Sequence, residues 1–174
     1  LEVGGDRQLR YTGRVANAAI GDDAGQPAFL RHDRHAAETL ARHDRHGLAN
    51  NTIVLFMSDN GGLSAHARGG EPNTHNRPLA SGKGSAYEGG IRVPMIIKWP
   101  ERVPAGTSSE HIFAAWDMLP TFCRVAGIDA PETDGISFYP ELVGEDGQEQ
   151  HEFLYWEFHE QGRKQAVRYG DWKG

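Results

Sequence analysis

A β-prone run, Thr52-Ile53-Val54-Leu55-Phe56-Met57-Ser58, stops at Asp59-Asn60-Gly61-Gly62. A carboxylate beside an amide carbonyl offers hard oxygen donors of the kind Ca²⁺ or Mg²⁺ takes. In open α/β sheets, ligands gather beyond the carboxyl ends of the strands, and the Asp59-Asn60 pair falls at such an end. Taken alone, Asp-Asn-Gly is also an ordinary turn sequence. Further along, Gly82-Lys83-Gly84 sets a lysine between glycines. Glycine neighbours let the backbone approach a ligand closely, and the lysine ammonium is a compact positive charge for a phosphate or sulfate oxygen. A flexible turn with a solvated lysine also accounts for the tripeptide. Between the two lies a polar stretch, residues 63–82, rich in Gly, Asn, His and Pro. Loops of that length in a compact domain are usually functional. His66 and His75 sit in it and could reach a substrate, with His75 the candidate substrate-binding residue. Solvated loop histidines are the other reading.

These residues need a scaffold. The run over 52–58 reads as a strand buried on both faces of a parallel sheet. Met95-Ile96-Ile97-Lys98-Trp99 is a second short strand closed by Pro100. Asp117 is placed to N-cap a helix over about 118–126, with Pro120 inside the first turn and Gly127 as the stop. Leu119, Phe122 and Ala126 are expected on one face of that helix, and Cys123 is expected to be a small core residue. Gly144 to Gln150 reads as an acidic linker. Phe153–Phe158 and Gln165–Tyr169 then form a hairpin whose turn holds Gln161-Gly162-Arg163. The fold expected is α/β: part of a mixed, mainly parallel sheet flanked by helices, with the start of a small C-terminal antiparallel subdomain.

Residues 1–50 carry less pattern. His32-Asp33-Arg34-His35 recurs as His43-Asp44-Arg45-His46, and the segment between favours a solvated helix by propensity. A His-rich metal site would need the two copies to converge, and they are spread. Sequence that is not native-like remains a third reading of this stretch.

Together, Ser58-Asp59-Asn60-Gly61-Gly62, Asn76-Arg77-Pro78-Leu79, Gly82-Lys83-Gly84 and Tyr87-Glu88-Gly89-Gly90-Ile91-Arg92-Val93-Pro94 resemble the sulfatase family of the alkaline-phosphatase-like superfamily. Asp117-Met118-Leu119-Pro120-Thr121, Ala126-Gly127-Ile128, Asp134-Gly135-Ile136-Ser137 and Arg168-Tyr169-Gly170-Asp171-Trp172-Lys173 agree in order and spacing. The resemblance covers about residues 47–174. It implies that Asp59 and Asn60 are calcium ligands and that Lys83 contacts the sulfate and the hydroxyl of a formylglycine, the family's nucleophile. It implies a sulfuric ester hydrolase acting on an aryl or carbohydrate sulfate, and a periplasmic or secreted location for a bacterial parent. The organisation expected is a poorly matching segment over 1–46, the C-terminal part of a sulfatase catalytic domain over 47–144, and the start of a C-terminal subdomain over 145–174.

The family makes its formylglycine in a Cys/Ser-x-Pro/Ala-x-Arg motif, and no Cys or Ser here begins one. Asp22-Asp23-Ala24-Gly25 resembles the family's paired metal aspartates, but no buried apolar strand precedes it. The chain is therefore expected to be a fragment, inactive alone. Fragments of a related phosphoryl hydrolase and a non-catalytic anion- or glycan-binding remnant are the competing readings. A net charge of −6 across 174 residues excludes the basic field of a nucleic-acid binder. With a single cysteine, no intrachain disulfide and no cysteine zinc cluster can form. The longest apolar run, Ile53 to Met57, is far short of the ~18 residues of a membrane span. The sequence does not set an oligomeric state.

Overall fold

The computed structural model of the chain describes residues 8–11, 42–63 and 76–174; of residues 8–11, Glu160 and Gln161 it describes the backbone alone. The expected helix before position 42, Asp22-Asp23, His66 and His75 lie outside the described residues. The chain divides into two compact units. The first takes Met95–His111 and Tyr139–Gln148 together with the described residues up to Phe56; the second takes Met57–Pro94, Ile112–Phe138 and Glu149–Gly174.

The first unit is built on a sheet of β1 (Gln8–Tyr11), β2 (Val54–Met57), β3 (Met95–Lys98) and β4 (Thr107–Ser109), in the order β2-β3-β1-β4. β1 pairs antiparallel with β3, Leu9 opposite Ile97, and parallel with β4, Leu9 opposite Thr107. The sheet is mixed, as expected; these two pairings do not make it mainly parallel. β3 alternates as a strand with one buried face should: Met95 and Ile97 are buried, Ile96 and Lys98 half-buried. Val103 and Leu142 complete that core. The short helix α1 (Tyr139–Val143) buries Pro140 and Leu142. Trp99 meets Tyr139 edge-on, ring centroids 6.0 Å apart, and Ser109 donates its hydroxyl to Glu141.

β2 forms where expected, but it is not buried on both faces. Phe56 is 41% exposed and its neighbours are half-buried. The cause is position: β2 stands at one end of the strand order, so it is an edge strand. Upstream, the second His-Asp-Arg-His copy closes a helical turn, with His46 N–H donating to Arg42 and Gly47 in the left-handed region at φ 68°. Arg42, Asp44, Arg45 and His46 are exposed.

The second unit holds helix α2 (Met118–Ala126) and an antiparallel sheet of β5 (Phe153–Phe158), β6 (Lys164–Tyr169) and β7 (Trp172–Lys173). α2 ends as expected on Gly127, at φ 69°. The amide of Gly127 donates to Arg124, and that of Ile128 donates to Cys123 at 3.0 Å, which satisfies the last carbonyls. Its buried face differs from expectation. Pro120, Thr121 and Cys123 are buried, whereas Leu119 is 49% exposed and Ala126 is exposed. Hydrogen bonding explains this. Thr121 donates its hydroxyl to the Asp117 carbonyl at 2.6 Å and accepts the Phe138 N–H at 3.0 Å, so its polar group is satisfied inside. Phe138, fully buried, packs on Phe113 at 4.7 Å.

Asp117 does not cap α2 with its side chain. Its carboxylate instead accepts the N–H groups of Ala114 at 2.7 Å and Ile136 at 2.8 Å, and meets His151 Nε2 at 2.8 and 3.0 Å. The expected hairpin is present, with Phe153 opposite Tyr169 and Phe158 opposite Lys164. Its connection is a helical turn, Glu160–Arg163, and β7 adds a third strand that the hairpin pattern does not contain.

Candidate active site

The candidate site belongs to the second unit and is built from backbone. After Met57 the chain turns through Ser58, whose hydroxyl donates to the Asn60 carbonyl at 2.8 Å. Gly61 N–H then donates to Gly90 O at 2.9 Å, and Lys83 N–H to Gly62 O at 3.1 Å. The Asp59–Gly62 loop and the Lys83 loop are thus direct neighbours, as the two candidate elements require. Asn76 clips them together: its Oδ1 accepts Gly62 N–H at 2.9 Å, and its Nδ2 donates to Gly62 O at 2.9 Å and Ser81 O at 3.1 Å.

Glycine is obligatory at the centre of this contact. A Cβ on Gly61 would lie 1.7 Å from Gly89 O, and one on Gly89 would lie 2.2 Å from Ser81 O. The short helix α3 (Glu88–Ile91) carries Gly89 and Gly90, both buried, against the two loops. Gly89 N–H donates to Ala80 O at 2.9 Å.

On this platform Asp59 and Lys83 are exposed and Asn60 is half-buried. Among the described residues, no hydrogen bond or ion pair engages the side chains of Asp59, Asn60 or Lys83. Their donor capacity is therefore available: two hard oxygen ligands and one ammonium. Asp59 and Asn60 fit a hard cation chemically but supply a minority of the roughly 6–8 oxygens Ca²⁺ takes. Among the described residues no three His, Cys, Asp or Glu side chains cluster to hold a metal ion. Cys123 is buried on α2, a packing residue as expected.

One charged group beside the platform was legible in the sequence only as motif text. Glu88 opens α3 and faces three cations: Lys173 Nζ at 2.8 Å, Arg92 Nη1 at 3.5 Å and Arg168 Nη1 at 3.7 Å. Burial pushes the Glu88 carboxyl up, but the Lys173 hydrogen bond and the charges of Lys173, Arg168 and Arg92 together outweigh it and hold the group below the usual carboxylate value. A carboxylate five positions after a candidate lysine, with basic residues near the C-terminus, is a signal too diffuse to pair by reading.

The family described as N-sulphoglucosamine sulphohydrolase, C-terminal, matches residues 82–170, the stretch that carries Lys83, Glu88, β5 and β6. The chain belongs to the sulfatase family. It is 35% identical over 153 residues to the steryl-sulfatase of Rattus norvegicus, covering 83% of this chain and 25% of that protein. With the N-acetylgalactosamine-6-sulfatase of Canis lupus familiaris it shares 37% identity over 102 residues, 56% of this chain and 19% of the relative. Among solved structures, Ps i-CgsB in complex with k-i-k-neocarrahexaose superposes with a TM-score of 0.69 at 35% identity, covering 80% of this chain and 31% of that one. The chain thus spans about a quarter of the length of the curated relatives it matches. Among the described residues, no helix is long and apolar enough to cross a membrane.

Proposed function

We propose that this chain is part of a sulfatase that hydrolyses sulfate esters, and that it supplies one side of the catalytic site. The observation that carries the reading is the direct seating of the Lys83 loop on the Asp59–Gly62 loop, through Lys83 N–H to Gly62 O at 3.1 Å, with both charged side chains left unengaged. Asp59 and Asn60 would hold Ca²⁺ through one carboxylate and one amide oxygen. Bound there, the cation would withdraw charge from the sulfate oxygens as a Lewis acid. Lys83 is the catalytic residue of this chain: its ammonium binds a sulfate oxygen and stabilises the charge that grows as the ester bond breaks. His75 is a further candidate for substrate contact. The sequence carries no motif for the family's formylglycine, so the nucleophile and the remaining metal ligands would come from elsewhere in a longer protein. There the four-stranded sheet would be part of a mainly parallel one.

The substrate would be an aryl, steryl or carbohydrate sulfate. The relatives named steryl-sulfatase and N-acetylgalactosamine-6-sulfatase support that range. The test is a chromogenic aryl sulfate assay with calcium present, run on the 174-residue chain and on the longer protein. The chain alone is expected to give no enzymatic turnover, because loss of the nucleophile removes the covalent route. In the longer protein, Lys83→Ala is expected to lower turnover about 10²–10³-fold with the fold intact, the usual cost of removing one transition-state charge stabiliser. Metal-dependent turnover by the 174-residue chain, abolished by Asp59→Ala, would overturn this reading.

A further inference from the structure

We propose that Glu88, gripped by Lys173 and Arg168 of the C-terminal sheet, is the positioning residue that sets the Lys83 loop against the Asp59–Gly62 loop. The inference rests on the reading of Lys83 as a sulfate-contacting residue, and it explains why a small antiparallel sheet accompanies the site.

The argument begins with what α3 cannot do for itself. Four residues are too few to sustain a helix, because nucleation is costly and the hydrogen bonds gained are few. Two of the four are glycine, the least favourable ordinary residue in a helix interior. Those glycines cannot be exchanged for better helix formers, since a Cβ on Gly90 would lie 2.2 Å from Ser85 O and one on Gly89 would meet Ser81 O at the same distance. The close approach that builds the site therefore forces a weak element at its centre. That element must be held from outside.

Glu88 is where it is held. The ammonium of Lys173, on β7, lies 2.8 Å from Oε1, and the guanidinium of Arg168, on β6, lies 3.7 Å from Oε2. Arg168 and Lys173 are register partners, so both cations arise from one cross-strand pair. The Lys173 ammonium also stands 5.0 Å from the centroid of the Trp156 ring, which limits its freedom before it meets Glu88. Arg92, one turn along α3, adds the third cation at 3.5 Å. These side chains are 14–17% exposed, against 28% for Glu88, so water screens the cluster less than it would a surface ion pair. A second contact reaches the loop itself: Lys164 Nζ, at the start of β6, points at Gly84 O at 3.4 Å, next to Lys83. The sheet thus touches the platform at Glu88 and at Gly84. From Glu88 the connection runs through Gly89 N–H to Ala80 O and Gly90 O to Gly61 N–H, which are the bonds that fix the two loops.

The test is amide hydrogen exchange on the 174-residue chain as wild type, Glu88→Gln, Lys173→Met and Lys173→Arg. The amides of Gly61, Lys83 and Gly89 report the platform, and those of Met95–Lys98 report the first unit. Glu88→Gln and Lys173→Met are each expected to speed exchange of the three platform amides about tenfold or more, as a local opening would, with the β3 amides unchanged. Lys173→Arg is expected to keep wild-type protection because it keeps the cation. Unchanged platform protection in both charge-removing variants overturns the proposal. So does equal acceleration of platform and β3 amides, which would mark a global loss of stability, and so does Lys173→Arg behaving like Lys173→Met. Failure of the Lys83 reading is separable: Lys83→Ala in the longer protein would leave sulfate-ester turnover intact, while the exchange pattern would still decide the coupling.

Discussion

Asp59 and Asp117 belong to the same unit and carry the same side chain, yet their surroundings are opposite. Asp117 is 1% exposed, and its carboxylate accepts two backbone N–H groups while meeting the His151 ring. Asp59 is exposed at the end of a strand, and among the described residues nothing engages it. A buried carboxylate survives only when its hydrogen-bonding capacity is filled. Asp117 therefore has none left for a ligand, and it ties the turn before α2 to Gly135–Ile136 and to the strand entry at His151. Asp59 keeps its full capacity because the polypeptide around it is fixed by other means: glycine contacts, the Asn76 clip and the Glu88 cluster. The two carboxylates differ in whether the protein itself uses up their lone pairs.

The largest effect that would break this comparison is at Asp117. Asp117→Ala leaves the buried Ala114 N–H, the part-buried Ile136 N–H and His151 without their acceptor and is expected to cost about 3–5 kcal/mol, the range for breaking a buried charged network. Chemical denaturation measures it. Asp59→Ala in the same assay should fall within about 0.5 kcal/mol of wild type, as surface changes do; a loss comparable to that of Asp117→Ala would show that Asp59 is structural after all.

The glycine platform comes next. Gly61→Ala places a Cβ 1.7 Å from a backbone carbonyl, and backbone cannot rotate away, so about 1–3 kcal/mol or more is expected from overpacking. Gly106, at φ 72° in open space, bears only the left-handed penalty, and Gly106→Ala should cost about 1–2 kcal/mol. Thermal midpoints of the two variants separate collision from backbone strain.

A smaller effect follows pH. The folded state holds the Glu88 carboxyl below its ordinary value against the pull of burial. Its stabilisation is therefore fully present above the unfolded-state pKa and is lost as pH falls through the folded-state pKa. Glu88→Gln is expected to lower the stability of the second unit, followed by platform amide exchange, at neutral pH and to flatten its decline on the acid side; an acid limb as steep as that of wild type would remove Glu88 from the account.

The smallest effect lies on the exposed face of the sheet. The Tyr155 hydroxyl donates to Glu157 Oε1 at 2.5 Å, and that hydrogen bond raises the phenol and lowers the carboxyl. Glu157→Gln should return the Tyr155 titration, followed by ultraviolet absorbance, toward its ordinary value without changing the melting temperature. A change in stability there would mean that the exposed face contributes more than the comparison assigns it.

Several elements were readable from local pattern alone. The β-prone run at 54–57, the alternation at 95–98, the Gly127 stop of α2 and the hairpin over 153–169 all express rules that act within a few residues: side-chain period, turn chemistry and the left-handed tolerance of glycine. Asp59, Asn60 and Lys83 stand out as candidates for the same reason, because an Asp-Asn pair at a strand end and a lysine between glycines are also local patterns. Tertiary structure alone decided which polar groups were consumed. Asp117 reaches His151 34 positions away, and Glu88 reaches Lys173 85 positions away. Nothing in the residue types separates these from free surface charges. Nor does local pattern say that β2 is an edge strand, or that Thr121 is buried where Leu119 is exposed. Burial and ion pairing are set by which surfaces meet. That depends on contacts between distant segments, whose free energies compete over the whole fold and leave no periodic trace in the chain.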